Sequence, residues 1–204
     1  DIPRIRVSSL QHQEIDLDLL NLWKNPRLCK HFHIPLQSGS DPILKAMRRR
    51  YTSEQYMESI KQVKSVLPSA SITSDVIVGF PNENEEDFHN TVNLCSSVGF
   101  SDLHVFKFSS RPGTSASHFP DNVAYSTKSK RSKELMLIAE AGFRKYRESH
   151  IGKKEFVLWE EPSNKSSLNS LNTYTGLTGN YIRVKSESEK EITGLIEPVT
   201  LGIN

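Results

Sequence analysis

Over its first two-thirds the chain repeats one pattern: a short apolar run, a polar loop, then apolar residues every three or four positions. Ile5 and Val7 alternate with Arg4, Arg6 and Ser8, the period of a strand with one polar face. Leu17, Leu20 and Trp23 stand three apart ahead of Pro26 and predict a helix over 16–24. A second strand spans 31–36 and ends in Gln37-Ser38-Gly39-Ser40, after which Asp41-Pro42 caps and opens a short helix through Met47. A helix over 53–66 puts Tyr56, Ile60 and Val63 on one face and stops at Pro68. The third strand, 72–78, ends in Gly79-Phe80-Pro81. A helix over 85–98 then buries Phe88, Val92 and Cys95 and stops at Gly99. The fourth strand, 103–108, is closed by Ser109-Ser110-Arg111-Pro112-Gly113-Thr114.

Strands alternating with helices at this spacing predict an α/β chain of βα units on a parallel sheet. Four units suit half of an eightfold barrel, part of a six-stranded partial barrel, or a doubly wound sheet. All three gather their chemistry at the carboxyl ends of the strands. After Pro120 the pattern changes to a long helix over 126–150, ending at Gly152. Short β-type runs follow at 156–159, 181–184, 192–196 and 199–200, with a loop at 164–172. The division expected is 1–150 as the α/β part with its long helix and 151–204 as a small antiparallel β-barrel.

Hydrophobic residues make up 36% and charged residues 25%, which supports a sizeable core and excludes a disordered chain. No apolar run approaches the ~18 residues that span a bilayer, and the start lacks a signal-peptide layout, so a cytoplasmic protein with no membrane partner is expected. Cys29 and Cys95 cannot build a disulfide framework or a tetrahedral metal site by themselves, and each reads as a small apolar residue in a helix. Asp1-Ile2-Pro3-Arg4 reads as a strand already under way, so a piece of a longer protein is expected.

A net charge of +2 requires any polyanion partner to meet a local basic face. Lys45, Arg48, Arg49 and Arg50 cluster at one helix end. Lys128, Lys130, Arg131, Lys133, Arg144, Lys145, Arg147, Lys153 and Lys154 crowd the long helix and the boundary. That concentration suits nucleic-acid phosphates, or else a solvated helix. At the strand ends, Gln37-Ser38-Gly39-Ser40 can bond ribose hydroxyls or a carboxylate, or form an ordinary turn. His33 and Asp75 read as paired polar groups or functional ones. Gly79 permits close approach of packing or ligand, and Arg111 can grip a phosphate or carboxylate or stay solvated.

Three ordered blocks then carry a resemblance. His33-Ile34-Pro35-Leu36-Gln37-Ser38-Gly39-Ser40-Asp41 with Ile43 to Arg49, Asp75-Val76-Ile77-Val78-Gly79-Phe80-Pro81 with Glu83, Asp87 and Phe88, and Ser109 with Arg111-Pro112-Gly113-Thr114 and Ala116 resemble the radical-SAM methylthiotransferases. The closing fifty or so residues resemble that family's TRAM domain, a small β-barrel that holds substrate. The resemblance implies a six-unit partial (β/α) barrel, of which this chain supplies the last four βα units. It implies S-adenosylmethionine contacts at Gln37 and Ser38, with Ser9, Asp75, Ile77, Gly79 and Phe106 lining the same cavity. It implies RNA contacts at Arg111, Lys130, Arg131, Arg144, Lys145, Lys153 and Lys154.

The family's chemistry uses two [4Fe–4S] clusters, one of which cleaves S-adenosylmethionine to a radical, so an electron donor is implied as a partner. The substrate implied is the anticodon stem-loop of tRNA, and a monomer is expected. Leu103-His104-Val105-Phe106 with the Arg-Pro-Gly-Thr loop resembles the branch acting on threonylcarbamoyladenosine at position 37. The isopentenyladenosine branch ranks next and the ribosomal-protein branch third. A stand-alone RNA-binding protein is the rival outside catalysis. The cluster-binding cysteines are absent and Asn82 and Asn84 replace the usual Gly and Thr, so no metal ligand and no catalytic residue is assigned. The 204 residues by themselves are expected to be inactive.

Overall fold

The computed structural model describes residues 2–120, 122–162 and 171–203. Helices α1 (Leu17–Asn21), α2 (Asp41–Ala46), α3 (Ser53–Val66) and α4 (Glu85–Val98) alternate with strands β1 (His31–His33), β2 (Ser71–Val78) and β3 (Asp102–Lys107). The long α5 (Tyr125–Glu148) leads to β4 (Lys154–Pro162), β5 (Asn172–Thr178), β6 (Arg183–Ser188) and β7 (Ile196–Thr200). The first three strands form a parallel sheet in chain order, and the last four an antiparallel sheet in the order β6-β5-β4-β7. No helix among the described residues is long and apolar enough to cross a membrane.

Local chemistry sets the boundaries. Thr52 accepts the Gln55 N–H while Gln55 reaches back to the Thr52 N–H, a capping box that starts α3. Asn84 and Asp87 do the same for α4, which ends at Gly99 with φ of 60°. The cap of α2 is Ser40 rather than Asp41. Asp41 is the first helical residue, and its carboxylate accepts the Ser53 N–H at 2.7 Å.

The core lies on one face of the parallel sheet. Phe32, Val76, Val78 and Leu103 point towards Tyr56, Ile60 and Val63 of α3, Phe88 and Cys95 of α4, and Leu135 of α5. Tyr56 is fully buried and donates its hydroxyl to the Ile34 carbonyl at 2.8 Å. The residues expected as the first strand keep only one bridge. Ile5 donates to Arg27 O and accepts from Cys29 N, while Pro3 lacks a donor and Ser9, at φ 58°, turns the chain away. Four expected parallel strands are therefore three and a bridged segment. β1 also stops short of Leu36, because Pro35 has no N–H for the ladder.

The second sheet packs Val157, Trp159 and Tyr174 together. Sequence periodicity overlooked β5, whose Gly176 sits where a Cβ would meet Val157 and Trp159. The expected run at 192–196 is mostly a turn, with Gly194 at φ 77°, and only Ile196 belongs to β7. Of the loop expected at 164–172, residues 164–170 lie outside the described residues and Asn172 opens β5. Among the described residues this sheet has β6 and β7 at its edges. It is joined to the first by Arg6, which donates to Thr178 O at 3.2 Å, and by Tyr146, which lies 3.3 Å from Ser69 O and 3.4 Å from Asn180 O.

Candidate functional site

Side chains alternate along β2, so Val76 and Val78 enter the core while Thr73, Asp75 and Ile77 face the other way. Register carries this second face across the sheet: His33 lies opposite Thr73, His104 opposite Asp75, and Phe106 opposite Ile77. A ladder of polar groups results. His31 Nε2 and His33 Nδ1 each lie 3.0 Å from the Thr73 hydroxyl. Asp75 lies 3.3 Å from His33 Nε2 and is hydrogen-bonded to His104 Nδ1 at 3.1 Å, and His104 Nε2 lies 3.7 Å from Asp102.

Thr73 has one hydroxyl proton, which constrains the ladder. A hydroxyl donates once but can accept from several donors, so at most one of the two imidazoles takes the Thr73 proton. His31 Nδ1 is left buried and without a hydrogen-bond partner. Burial, with Arg6 and His33 nearby, lowers the His31 pKa to about 3, so its ring is neutral across the physiological range. Its ring stacks on Tyr181 of the second sheet, 4.2 Å between centroids and 5° from parallel.

Of the residues expected at this face, Asp75 and Ile77 are half-buried and Phe106 is 51% exposed. Gln37, at φ 68°, forms an isolated bridge to β2 beyond the end of β1, its N–H on Asp75 O and its carbonyl taking the Ile77 N–H. Ser9 is exposed and precedes Leu10, whose N–H meets the His33 carbonyl.

Two of the expected residues turn out to serve packing. Ser38 is fully buried, its hydroxyl held between Thr91 at 3.3 Å and Ser40 N at 3.2 Å, so it pins the loop to α4. Gly79 is buried, and a Cβ there would meet the Lys128 stem of α5, so the glycine makes room for that lysine.

Basic positions divide in the same way. Arg111, Lys130, Arg144, Lys145, Lys153 and Lys154 are exposed. Arg131 is not: it is buried 2.7 Å from Glu83 and 2.7 Å from Glu85, so its charge is spent inside the protein. Lys128 is buried as well, with its ammonium against the Phe108 carbonyl and ring. Sequence reasoning missed His104 and Thr73 as members of the ladder. The available signal was parity: both share a face with Asp75 once the strands are in register.

Neither thiol lies in a metal-binding arrangement. Cys29 is buried but outside any helix, contrary to expectation, and its sulfur takes the Arg4 Nε–H at 3.3 Å. Burial in α4 pushes the Cys95 thiol up to about 12. Among the described residues no three His, Cys, Asp or Glu side chains are grouped to hold a metal ion. The residues present therefore do not fit an iron–sulfur cluster.

Similarity to known proteins is extensive. A profile of the Radical SAM superfamily matches residues 6–95. The chain is 34% identical over 201 residues to a threonylcarbamoyladenosine tRNA methylthiotransferase of Bacillus subtilis (strain 168), covering 98% of this chain and 44% of the relative. It is 40% identical over 174 residues to a tRNA-2-methylthio-N(6)-dimethylallyladenosine synthase of Desulfitobacterium hafniense (strain Y51), covering 85% of this chain and 38% of the relative. Over nearly its whole length the chain is similar to tRNA methylthiotransferases, and its first half to the Radical SAM superfamily. It spans less than half the length of these relatives. Among solved structures, the coproporphyrinogen III oxidase of Escherichia coli shares the fold at a TM-score of 0.57 and 12% identity, over 97% of this chain and 51% of that one. The Radical SAM match implies S-adenosylmethionine and an iron–sulfur cluster. The donor set on the polar face, a carboxylate, imidazoles and the half-exposed Phe106 ring, fits the first of these.

Proposed function

We propose that this chain is the part of a tRNA methylthiotransferase that orients S-adenosylmethionine and holds the anticodon stem-loop. The whole protein would add a methylthio group to C2 of N6-threonylcarbamoyladenosine at position 37. One observation carries the reading: similarity to tRNA methylthiotransferases runs through both sheets, over 98% of the chain. In this reading two [4Fe–4S] clusters have their ligands outside the 204 residues, an electron donor serves them, and the protein works as a cytoplasmic monomer. The second sheet takes the part of a TRAM domain.

S-adenosylmethionine, when bound, supplies the methyl group and the radical chemistry. The chain's own residues then have separable roles. Asp75, hydrogen-bonded to His104 and flanked by His33, offers a carboxylate whose direction is set before any ligand arrives. Phe106 offers an aromatic face beside it. Gln37 and Ser9 bring polar backbone to the same strand ends. Exposed Arg111, Lys130, Arg144, Lys145, Lys153 and Lys154 meet RNA phosphates.

The test is chemical. tRNA from cells with and without the gene is digested to nucleosides and read by mass spectrometry. Loss of the 2-methylthio form of threonylcarbamoyladenosine on deletion is the expected result. Loss of the methylthio isopentenyl form instead would move the protein to the other tRNA branch. No change in any methylthio nucleoside overturns the reading.

A further inference from the structure

Tyr125 opens α5 and keeps 71% of its side chain in solvent, an unusual exposure for so large a ring. The ring is nevertheless held in place. Lys107, the last residue of β3, donates its ammonium to the phenol oxygen at 2.9 Å and lies 4.5 Å from the ring centroid. Lys107 and Ser129 together draw the phenol pKa down. The segment just before α5 is tied as well: Asn122 Oδ1 accepts the Asn82 N–H at 2.9 Å, and Asn122 Nδ2 donates to Asn82 Oδ1 at 2.7 Å. Asn82 sits in the turn that follows β2, and Lys107 ends β3, so both tethers run to the carboxyl ends of the parallel strands. Lys107 is itself exposed, so its ammonium sits beside the ring at the surface.

We propose that Tyr125 is a stacking platform for an RNA base at the mouth of the parallel sheet, with Lys107 beside it to meet the backbone phosphate. This rests on the RNA-holding reading above and adds to it a residue which that reading does not contain. An exposed ring whose rotamer is already fixed loses little freedom when a base lies on it, and every base has a face to offer. The adjoining charge selects the occupant: an exposed lysine against the ring favours a polyanion with aromatic bases over an apolar protein surface. A base carried into the polar face must leave its neighbours in the loop unstacked, and a fixed ring at the mouth replaces one lost stacking partner.

The experiment uses the whole chain and an anticodon stem-loop RNA bearing 2-aminopurine at successive loop positions. Wild-type protein should bind the RNA and change the fluorescence at one of those positions. Tyr125→Ala should weaken binding roughly tenfold and abolish that change, whereas Tyr125→Phe should keep both. The salt dependence should be unaltered by Tyr125→Ala, because the ring carries no charge, and should shallow in Lys107→Gln. Both substitutions lie at the surface, so unchanged melting curves confirm that the fold is intact. Wild-type affinity and fluorescence response in Tyr125→Ala would overturn the platform and leave the RNA-holding reading standing. Failure of the wild-type chain to bind the stem-loop would overturn both.

Discussion

The Arg131 guanidinium lies 2.7 Å from the Glu83 carboxylate with both side chains buried, and this pair joins α5 to the turn after β2. Glu83 also accepts the Gly79 N–H at 2.7 Å, while Arg131 reaches out to Glu85. Removing one member strands the other charge out of water. Arg131→Ala should therefore destabilise the protein by about 3–5 kcal/mol in denaturant titration, and exchanging both residues for apolar ones of similar size should cost less than that. Lysine at 131 should not rescue fully, since one ammonium cannot serve two carboxylates as the fork does.

Burial raises the Glu83 pKa, although Gly79 and Arg131 oppose it. A carboxylate with a raised folded-state pKa favours folding while protonated. Its contribution falls as pH climbs from the ordinary carboxylate value to the raised one and is flat beyond. The difference in stability between wild type and Glu83→Gln, measured from pH 4 to 8, should show that decline. A difference that instead grows with pH would mean that Arg131 and the Gly79 N–H outweigh burial.

His31 works in the opposite sense. Its pKa is lowered to about 3, so stability is complete above the unfolded value of 6.5 and is lost as pH falls from there towards 3. His31→Phe keeps a ring against Tyr181 and removes the titration. Acid unfolding of the wild type should be steeper than that of the variant by at most about 1.4 kcal/mol per pH unit. Parallel curves would mean that the ring is solvated.

Two glycines separate close approach from backbone conformation. A Cβ at Gly39 would stand 2.5 Å from the Thr91 Cα, which is helix backbone and has nowhere to go. Gly79 combines φ of 71° with contact against the Lys128 stem. Alanine at either should destabilise by about 1–3 kcal/mol, and a further Lys128→Ala change should recover part of the loss at Gly79 only.

RNA binding divides the basic residues. Arg144→Gln with Lys145→Gln should weaken stem-loop binding for all sequences and lower the salt slope by roughly 2. Arg131→Gln should instead lower the melting temperature, because that side chain faces Glu83 and not solvent.

Periodicity found most of the first unit because its helices have strong local stops. Thr52 and Asn84 cap, Pro68 and Gly99 terminate, and the apolar spacing between them is regular. The second sheet was harder to read. Thr173 to Thr178 holds two glycine or leucine positions among threonines, and only the approach of Trp159 gives Gly176 a reason to be there. The site was half legible. Asp75 stands out in an apolar strand, but His104 becomes its partner only through the register of β2 and β3, which no local pattern encodes. Arg131 looked like its basic neighbours because burial is a property of one helix face, and Glu83 lies 48 residues away along the chain.

Helix α5 has Tyr125 at its first position and Tyr146, which reaches the second sheet, near its last turn. Twenty-four residues at about 1.5 Å each make a rod of roughly 36 Å. The helix is thus a ruler as well as a connector. Deleting one residue from its middle would turn the two ends relative to each other by about 100°, whereas deleting four would nearly restore their phase and draw them about 6 Å together. On the proposed reading, an RNA touching both ends would have to match that fixed span, so the helix would set the distance between its two contacts.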